Sequence, residues 1–484
     1  MHARCGWEAS LGIVALVAIA CSSSRDSTAP TPNPVAFISL AANDSSILVG
    51  ATARLSTIAK DSTGATIGDA HVAYASSNTA VATVSATGGV AGAGAGSVWM
   101  TAVAGTVRDS LAMIVADSTT NVTRVGPTRS YKTPCAAIAA AHANDVIEID
   151  AATYSADVCV ISIPGLTLRG VGGRPKLDAA GYSAEGKAIW VIRNANTTIE
   201  NIEFANATVP DNNGAGIRHE SGNLTIRSCY FNHDQDGILT GADSTSDVVI
   251  ESSEFAFSGQ TPTPGYEHNM YIGAIHSFTL RASYSHDVFE GNLVKSRART
   301  NYILYNRISG ETGTDSYELD LPNGGRSYVI GNIIEQGASS ANHSIIEYGV
   351  EGIPSGRSMD LFVVNNTVVN DAGAGTFVLV GGSVSTPVTL RNNIFAGPGT
   401  ITTQGSAILD ANTTAADGDP KFVNRASYDY RLLAGSPAID LGVTPGTGQG
   451  FSLVPLLQYV HPTSTVPRVT TGSTIDRGAY ERAP

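Results

Sequence analysis

One short phrase recurs through residues 196–396 and leaves few folds open to the chain. It reads Thr198-Ile-Glu-Asn-Ile-Glu-Phe204, Leu224-Thr-Ile-Arg-Ser-Cys-Tyr-Phe231, Val248-Val-Ile-Glu-Ser-Ser-Glu-Phe255 and Phe278-Thr-Leu-Arg-Ala-Ser-Tyr-Ser285. Later copies are Tyr302-Ile-Leu-Tyr-Asn-Arg-Ile308, Tyr328-Val-Ile-Gly-Asn-Ile-Ile334, Leu361-Phe-Val-Val-Asn-Asn-Thr-Val368 and Val388-Thr-Leu-Arg-Asn-Asn-Ile-Phe395. Their ends lie 27, 24, 30, 23, 26, 34 and 27 residues apart. A drifting period of about 25, built from short β-rich phrases, is the pattern of a solenoid. Two residues before the ends stand Ile202, Cys229, Ser253, Ser283, Asn306, Asn332, Asn366 and Asn393. The last four form an asparagine column, and stacked amides can hydrogen-bond from coil to coil as side-chain ladders do. An array of β-sandwiches also repeats its strands, but without one phrase and a fixed asparagine.

Composition agrees. Charged residues are 15% and glycines number 51 among 484 residues, which suits tightly turning β structure rather than helical bundles. A net charge of −13 argues against nucleic acid as a partner. Five cysteines are too few for a disulfide scaffold.

The organisation follows in chain order. Residues 1–21 read as an export signal, with Arg4, an apolar run from Leu11 to Ala20, and Cys21 after small residues. That ending resembles a bacterial lipobox, with Ala18 where leucine is usual, and implies lipidation of Cys21 and a membrane anchor. Residues 22–34 are a polar, proline-rich tether. Residues 35–116 read as a small β-sandwich. Leu48-Val-Gly-Ala-Thr-Ala-Arg-Leu55, Asp61-Ser-Thr-Gly64, Val72-Ala-Tyr-Ala-Ser-Ser-Asn78 and Val81-Ala-Thr-Val-Ser-Ala-Thr-Gly88 resemble the bacterial Ig-like domain, group 2, with Tyr74 in place of the usual Trp. Residues 118–399 form the solenoid, opened by one helix over Thr133–His142 that is expected to cap it. Cys135 and Cys159 are placed to form a disulfide after export, whereas Cys229 reads as a small core residue. Residues 400–484 lose the repeat; their wording resembles the tail of bacterial right-handed parallel β-helix proteins, with a last-rung cap as the expected role.

The densest polar stretch is 213–351. Arg218 lies 13 residues before Phe231 and Lys295 lies 13 before Ile308, while Tyr271 and Asp320 lie 14 before Ser285 and Ile334. All four therefore fall within one position of a single column, rungs being spaced about 4.8 Å apart. Lys295 and Arg297 share a strand face. Glu318 and Asp320 do too, with Glu347 one rung on.

The elements His268-Asn-Met-Tyr271, Lys295-Ser-Arg-Ala298 and Asp320-Leu-Pro-Asn-Gly-Gly325 resemble a group within the pectate-lyase-like, right-handed parallel β-helix superfamily, over roughly residues 118–484. That superfamily holds lyases, epimerases and inert surface proteins, so the resemblance implies the fold and leaves enzyme or binder open. For a lyase acting on acidic polysaccharide by β-elimination, it implies Lys295 as base, its pKa lowered by Arg297 and Arg299. Arg297 would neutralise the uronate carboxylate, and Tyr271 or His268 would donate to the leaving oxygen. Arg218, Arg299, His286, Asp320, Glu318 and Glu347 would bind substrate. Glu290, Glu318 and Asp320 are candidate ligands for Ca²⁺. A glycoside hydrolase using paired carboxylates and a non-catalytic adhesive or structural envelope protein are the alternatives. The expected setting is the cell envelope, as a monomer lipid-anchored at the outer membrane or cell surface; with ordinary signal cleavage it is secreted instead.

Overall fold

The computed structural model describes residues 34–116, 121–193, 195–259 and 266–482. The expected signal, Cys21 and all but the last residue of the tether lie outside these. Two four-stranded sheets make the N-terminal sandwich, one ordered Phe37–Ala42, Thr52–Lys60, Gly89–Gly92, Ala82–Val84 and the other Ser46–Leu48, Val107–Ala116, Gly96–Ala104, Ala73–Ser76. Alternation of side chains puts Val98, Met100 and Ala102 of one strand into its core. Tyr74 packs against that core and reaches Thr57 Oγ1 with its hydroxyl at 3.0 Å.

From Val122 onward the chain winds as a parallel β-helix. Sheet I has twelve strands, from Val122–Val125 to Ile408–Asp410; sheet II has ten, from Thr153–Ser155 to Ile394–Ala396; sheet III has ten, from Cys159–Ile161 to Thr400–Thr402. Each recurring phrase supplies one strand of sheet I and one of sheet II. Between them lies a single residue in the left-handed region, with φ between 48° and 57° at Asn201, Ser228, Ser252, Ala282, Tyr305, Asn365 and Asn392. Such a conformation costs roughly 1–2 kcal/mol outside glycine. The residue that follows it offsets that cost. Asn306 donates through Nδ2 to Asn332 Oδ1 at 3.0 Å, Asn332 to Asn366 at 2.9 Å, Asn366 to Asn393 at 3.0 Å and Asn393 to Asn412 at 3.0 Å. Inside the coil, Phe204, Phe231 and Phe255 stack with ring centroids 4.9 and 4.5 Å apart.

The helix Pro134–Ala140 buries Pro134, Ala137 and Ile138 at the first rungs. A disulfide joins Cys135 to Cys159, with Cα atoms 5.8 Å apart, and Cys229 is a buried thiol that is free. The coil runs past the expected boundary at 399, since Thr400–Thr402 and Ile408–Asp410 are its last strands, and the rest of the tail does not sit as a lid on them: Ile408 and Leu409 are half exposed. The tail runs back along the outer corner of sheets I and II instead. There Phe451 covers the stacked rings of Tyr302 and Tyr328, and Tyr430 and Tyr459 pack with Ile333, Val369 and Ile394. The stacked rings of Tyr302, Tyr328 and Phe362 give that corner apolar area for the tail to bury.

Candidate functional site

Sheet III carries the polar column. Its register aligns Arg218 with Leu239, Leu239 with Tyr271, Tyr271 with Lys295, Lys295 with Asp320, and Asp320 with Glu347. These residues point outward because their strand neighbours, such as Val294 and Ser296 beside Lys295, fill the coil interior. Arg297, two residues past Lys295, faces the same way.

The column is an ion-paired, hydrogen-bonded cluster. Lys295 Nζ lies 3.0 Å from Asp320 Oδ2 and 3.5 Å from Glu351 Oε1, and Arg297 lies 2.7 Å from Glu351 Oε2. One carboxylate thus spans both cations. Arg297 Nε donates to the Tyr271 hydroxyl at 2.8 Å and its NH1 donates to Asn323 Oδ1 at 2.5 Å. The Tyr271 ring lies 5.7 Å from each cation. Asn292 Nδ2 holds Asp320 Oδ2 at 2.7 Å, and the Asn292 backbone N–H donates to His268 Nδ1 at 2.9 Å. Gly324 and Gly325 take φ of 62° and 101°, and a Cβ on Gly325 would sit 2.7 Å from the Ala298 carbonyl oxygen. Only glycine lets the chain turn there and bring Asn323 under Arg297.

Electrostatics revise two expectations. Burial works against the Lys295 charge, but Asp320 and then Glu351 outweigh it, and the ammonium is held above the usual lysine range. Arg297 does push it down, too weakly to prevail, and Arg299 is exposed to solvent. The lysine is therefore a fixed cation, not a base poised by cationic neighbours. Burial, with help from Lys295 and Arg297, pushes His268 down to about 3. Its Nδ1 accepts a hydrogen bond and its exposure is 2%, so it is a sealed neutral ring behind Tyr271. Burial and a hydrogen bond with Asp320 push Glu347 up to about 9.

Other expected members lie elsewhere. Glu318 precedes its strand and turns into the coil corner, where Gln336 Nε2 meets it at 3.3 Å; burial and Asp315 push its carboxyl well up. It does not share the outward face of Asp320. The remaining carboxylate pair, Asp320 with Glu347, aligns on adjacent rungs of sheet III. His286 stands on sheet II, stacked on Tyr284 at 3.9 Å and 2.7 Å from Asp287, away from the column. Burial opposes its charge, but Asp287 and Glu254 outweigh burial and raise its pKa. Arg218 holds the column position but is separated from Tyr271 by Leu239.

Glu290, Glu318 and Asp320 do not converge. Among the described residues the one group close enough to share a metal is His286, Asp287 and Glu311. It includes an imidazole, and Glu311 is already held by Arg307 at 2.6 Å and by the Tyr284 hydroxyl, which does not fit the all-oxygen shell Ca²⁺ prefers. Sequence reasoning missed Glu351 and Asn292. The turn Gly349-Val-Glu-Gly352, an acid presented between two glycines just after Glu347, was the available signal for the first.

Residues 34–115 match the bacterial Ig-like domain (group 2) family. No curated protein matches the sequence. Among solved structures, pectate lyase Pel9A aligns with a TM-score of 0.49 at 13% identity, over 76% of this chain and 98% of that one. A pectin methylesterase D178A mutant in complex with a hexasaccharide aligns at 0.28 and 14%, over 66% and 94%. The Yersinia enterocolitica family 28 exopolygalacturonase aligns at 0.26 and 10%, over 80% and 100%.

Proposed function

We propose that the chain is an exported, lipid-anchored envelope protein whose β-helix binds acidic polysaccharide at the Lys295–Arg297 pair. One observation carries this: a single carboxylate is gripped through both oxygens, at 3.5 and 2.7 Å, by the two cations side by side. A uronate unit presents the same group. The Tyr271 ring beside both cations supplies a flat face of the kind a sugar ring packs against. Lipidation of Cys21 would tether the site at the membrane, with the Ig-like sandwich between anchor and β-helix.

β-Elimination is the reaction this set serves best. Arg297 would neutralise the uronate carboxylate and so acidify the adjacent C–H. Tyr271 accepts from Arg297, which leaves its own O–H to donate to the leaving oxygen. The base is the constraint. Lys295 starts protonated, so elimination through it rises with pH, about tenfold per unit between roughly pH 7 and 9. Non-catalytic binding is the second reading, favoured by the lysine's pairing with Asp320 and the sealing of His268. No step is routed through Ca²⁺.

The test is binding and turnover on pectate, alginate, chondroitin, heparin and ulvan, with ultraviolet absorbance reporting unsaturated uronate ends. Wild type is expected to bind at least one polymer, and Lys295→Ala with Arg297→Ala to lose at least tenfold in affinity. Alkaline-dependent absorbance, lost in Lys295→Ala, establishes the lyase. Binding without absorbance at any pH leaves the binder. Wild-type binding unaltered by the double substitution overturns the site.

A further inference from the structure

Glu351 stands where a ligand would. Its carboxylate bridges Lys295 and Arg297, yet its side chain is 48% exposed while those of Lys295 and Arg297 are 11% and 21% exposed. The cations are recessed and the anion is at the surface. Lys295 and Arg297 belong to the rigid rungs, whereas Glu351 belongs to a loop that arrives from outside.

That loop is pinned by its backbone. The Glu351 N–H donates to the Pro322 carbonyl at 3.1 Å, and Gly352 closes a turn onto Gly349 at 3.2 Å. Asn323 Nδ2 holds the Gly352 carbonyl at 3.0 Å. Beyond the turn, Arg357 donates to the carbonyls of Arg297 and Ala298, both at 2.7 Å. Ile353 packs against the core beneath. The Glu351 side chain can therefore swing away while the backbone of the strap stays pinned; its departure costs rotamer changes and two ion pairs, which an arriving carboxylate replaces.

We propose that Glu351 is a built-in occupant of a carboxylate site, displaced by the ligand's carboxylate on binding. This rests on the acidic-glycan reading above for the identity of the ligand, but the exchange itself concerns any carboxylate. The exchange conserves charge: one carboxylate leaves two recessed cations and another arrives. Neutral sugars bring no such group and leave Glu351 in place. The residue thus selects for acidic units and keeps the cations compensated when the site is empty. The resident acid also lowers apparent affinity, because a competent site exists only while Glu351 is away.

Two measurements test this, each on the full chain. In the first, thermal unfolding of wild type, Glu351→Gln and Glu351→Ala is followed in sodium acetate and in sodium chloride at equal ionic strength. Acetate is expected to raise the Tm of both variants by about 2–4 °C over chloride and to leave wild type unmoved. In the second, calorimetric titration with uronate hexamers from the five polymers is expected to show Glu351→Gln binding at least tenfold tighter than wild type. Equal response of wild type and variants to acetate overturns the exchange, whatever the glycan result. Acetate rescue without hexamer binding by any form keeps the carboxylate site and overturns the glycan reading. Lysine-dependent hexamer binding that Glu351→Gln does not improve keeps the glycan reading and overturns the resident-occupant role. Circular dichroism confirms that the variants fold.

Discussion

Asn366 serves its neighbours on both sides. Its Oδ1 accepts the backbone N–H and the amide of Asn332, both at 2.9 Å. Its Nδ2 donates to the Val329 carbonyl at 2.8 Å and to Asn393 Oδ1 at 3.0 Å. All of these groups are buried, so removing the side chain strands donors and acceptors where water does not reach. Asn366→Ala is expected to cost about 3 kcal/mol, read as a lower urea midpoint with an unchanged slope. The Ile202, Cys229, Ser253 and Ser283 positions of the same column show that the corner itself tolerates other side chains. There the ladder is carried partly by backbone N–H groups reaching a serine hydroxyl, as Cys229 does to Ser253 Oγ at 3.1 Å. The asparagines therefore stiffen the second half of the solenoid more than the first.

The first coil is stabilised differently. The helix Pro134–Ala140 and the strand Cys159–Ile161 make few rungs of their own, and the Cys135–Cys159 bridge closes the intervening chain, a separation of 24 residues. Loop-closure entropy assigns such a bridge about 3 kcal/mol. Replacing both cysteines by serine is expected to speed amide exchange over 134–161 while rungs beyond 300 stay protected, since solenoid repeats are coupled mainly to their neighbours. Elements of this kind were legible in the sequence because they are local. A phrase of two short strands with a polar corner fixes which side chains face in, and counting back from it placed Tyr271, Lys295 and Asp320 in one register. Legibility stops at the connections between sheets II and III. These vary in length, so the phase that separates an inward from an outward residue is lost across them. Glu318 fell on the wrong face for that reason. Glu351 went unseen because its place depends on a loop returning across the rungs, and the charge of Lys295 depends on Asp320 of the next rung and then on that loop's Glu351.

For the whole molecule, buried titrating groups set opposing slopes in overlapping pH windows. Burial pushes Glu335 up to about 7 and Glu347 up to about 9. Their folded pKa values exceed the unfolded ones, so the unfolded chain releases these protons first, and stability falls as pH rises from about 5 through each folded value. His268, pushed down to about 3, acts the other way: the unfolded chain takes up its proton first, and stability falls as pH drops below about 6.5. Between about pH 4.5 and 6.5 the two acids outweigh the one histidine, so thermal unfolding is expected to show a maximum near pH 4.5. Glu335→Gln should flatten the alkaline limb by about 3 kcal/mol, since Glu335 is 1% exposed and loses a full titration. The left-handed corner has a last consequence, best put as a reading frame. Side chains alternate faces with each residue, so one inserted residue within a strand would invert everything after it. Each turn of this chain begins again at a fixed corner, where a residue with φ near 55° and a hydrogen-bonded column restore the phase. Insertions between sheets II and III, or between III and I where Glu351 lies, are thereby absorbed before the corner of the next turn, and the chain can rewrite its outer loops without a frameshift in the rungs that hold Lys295 and Arg297.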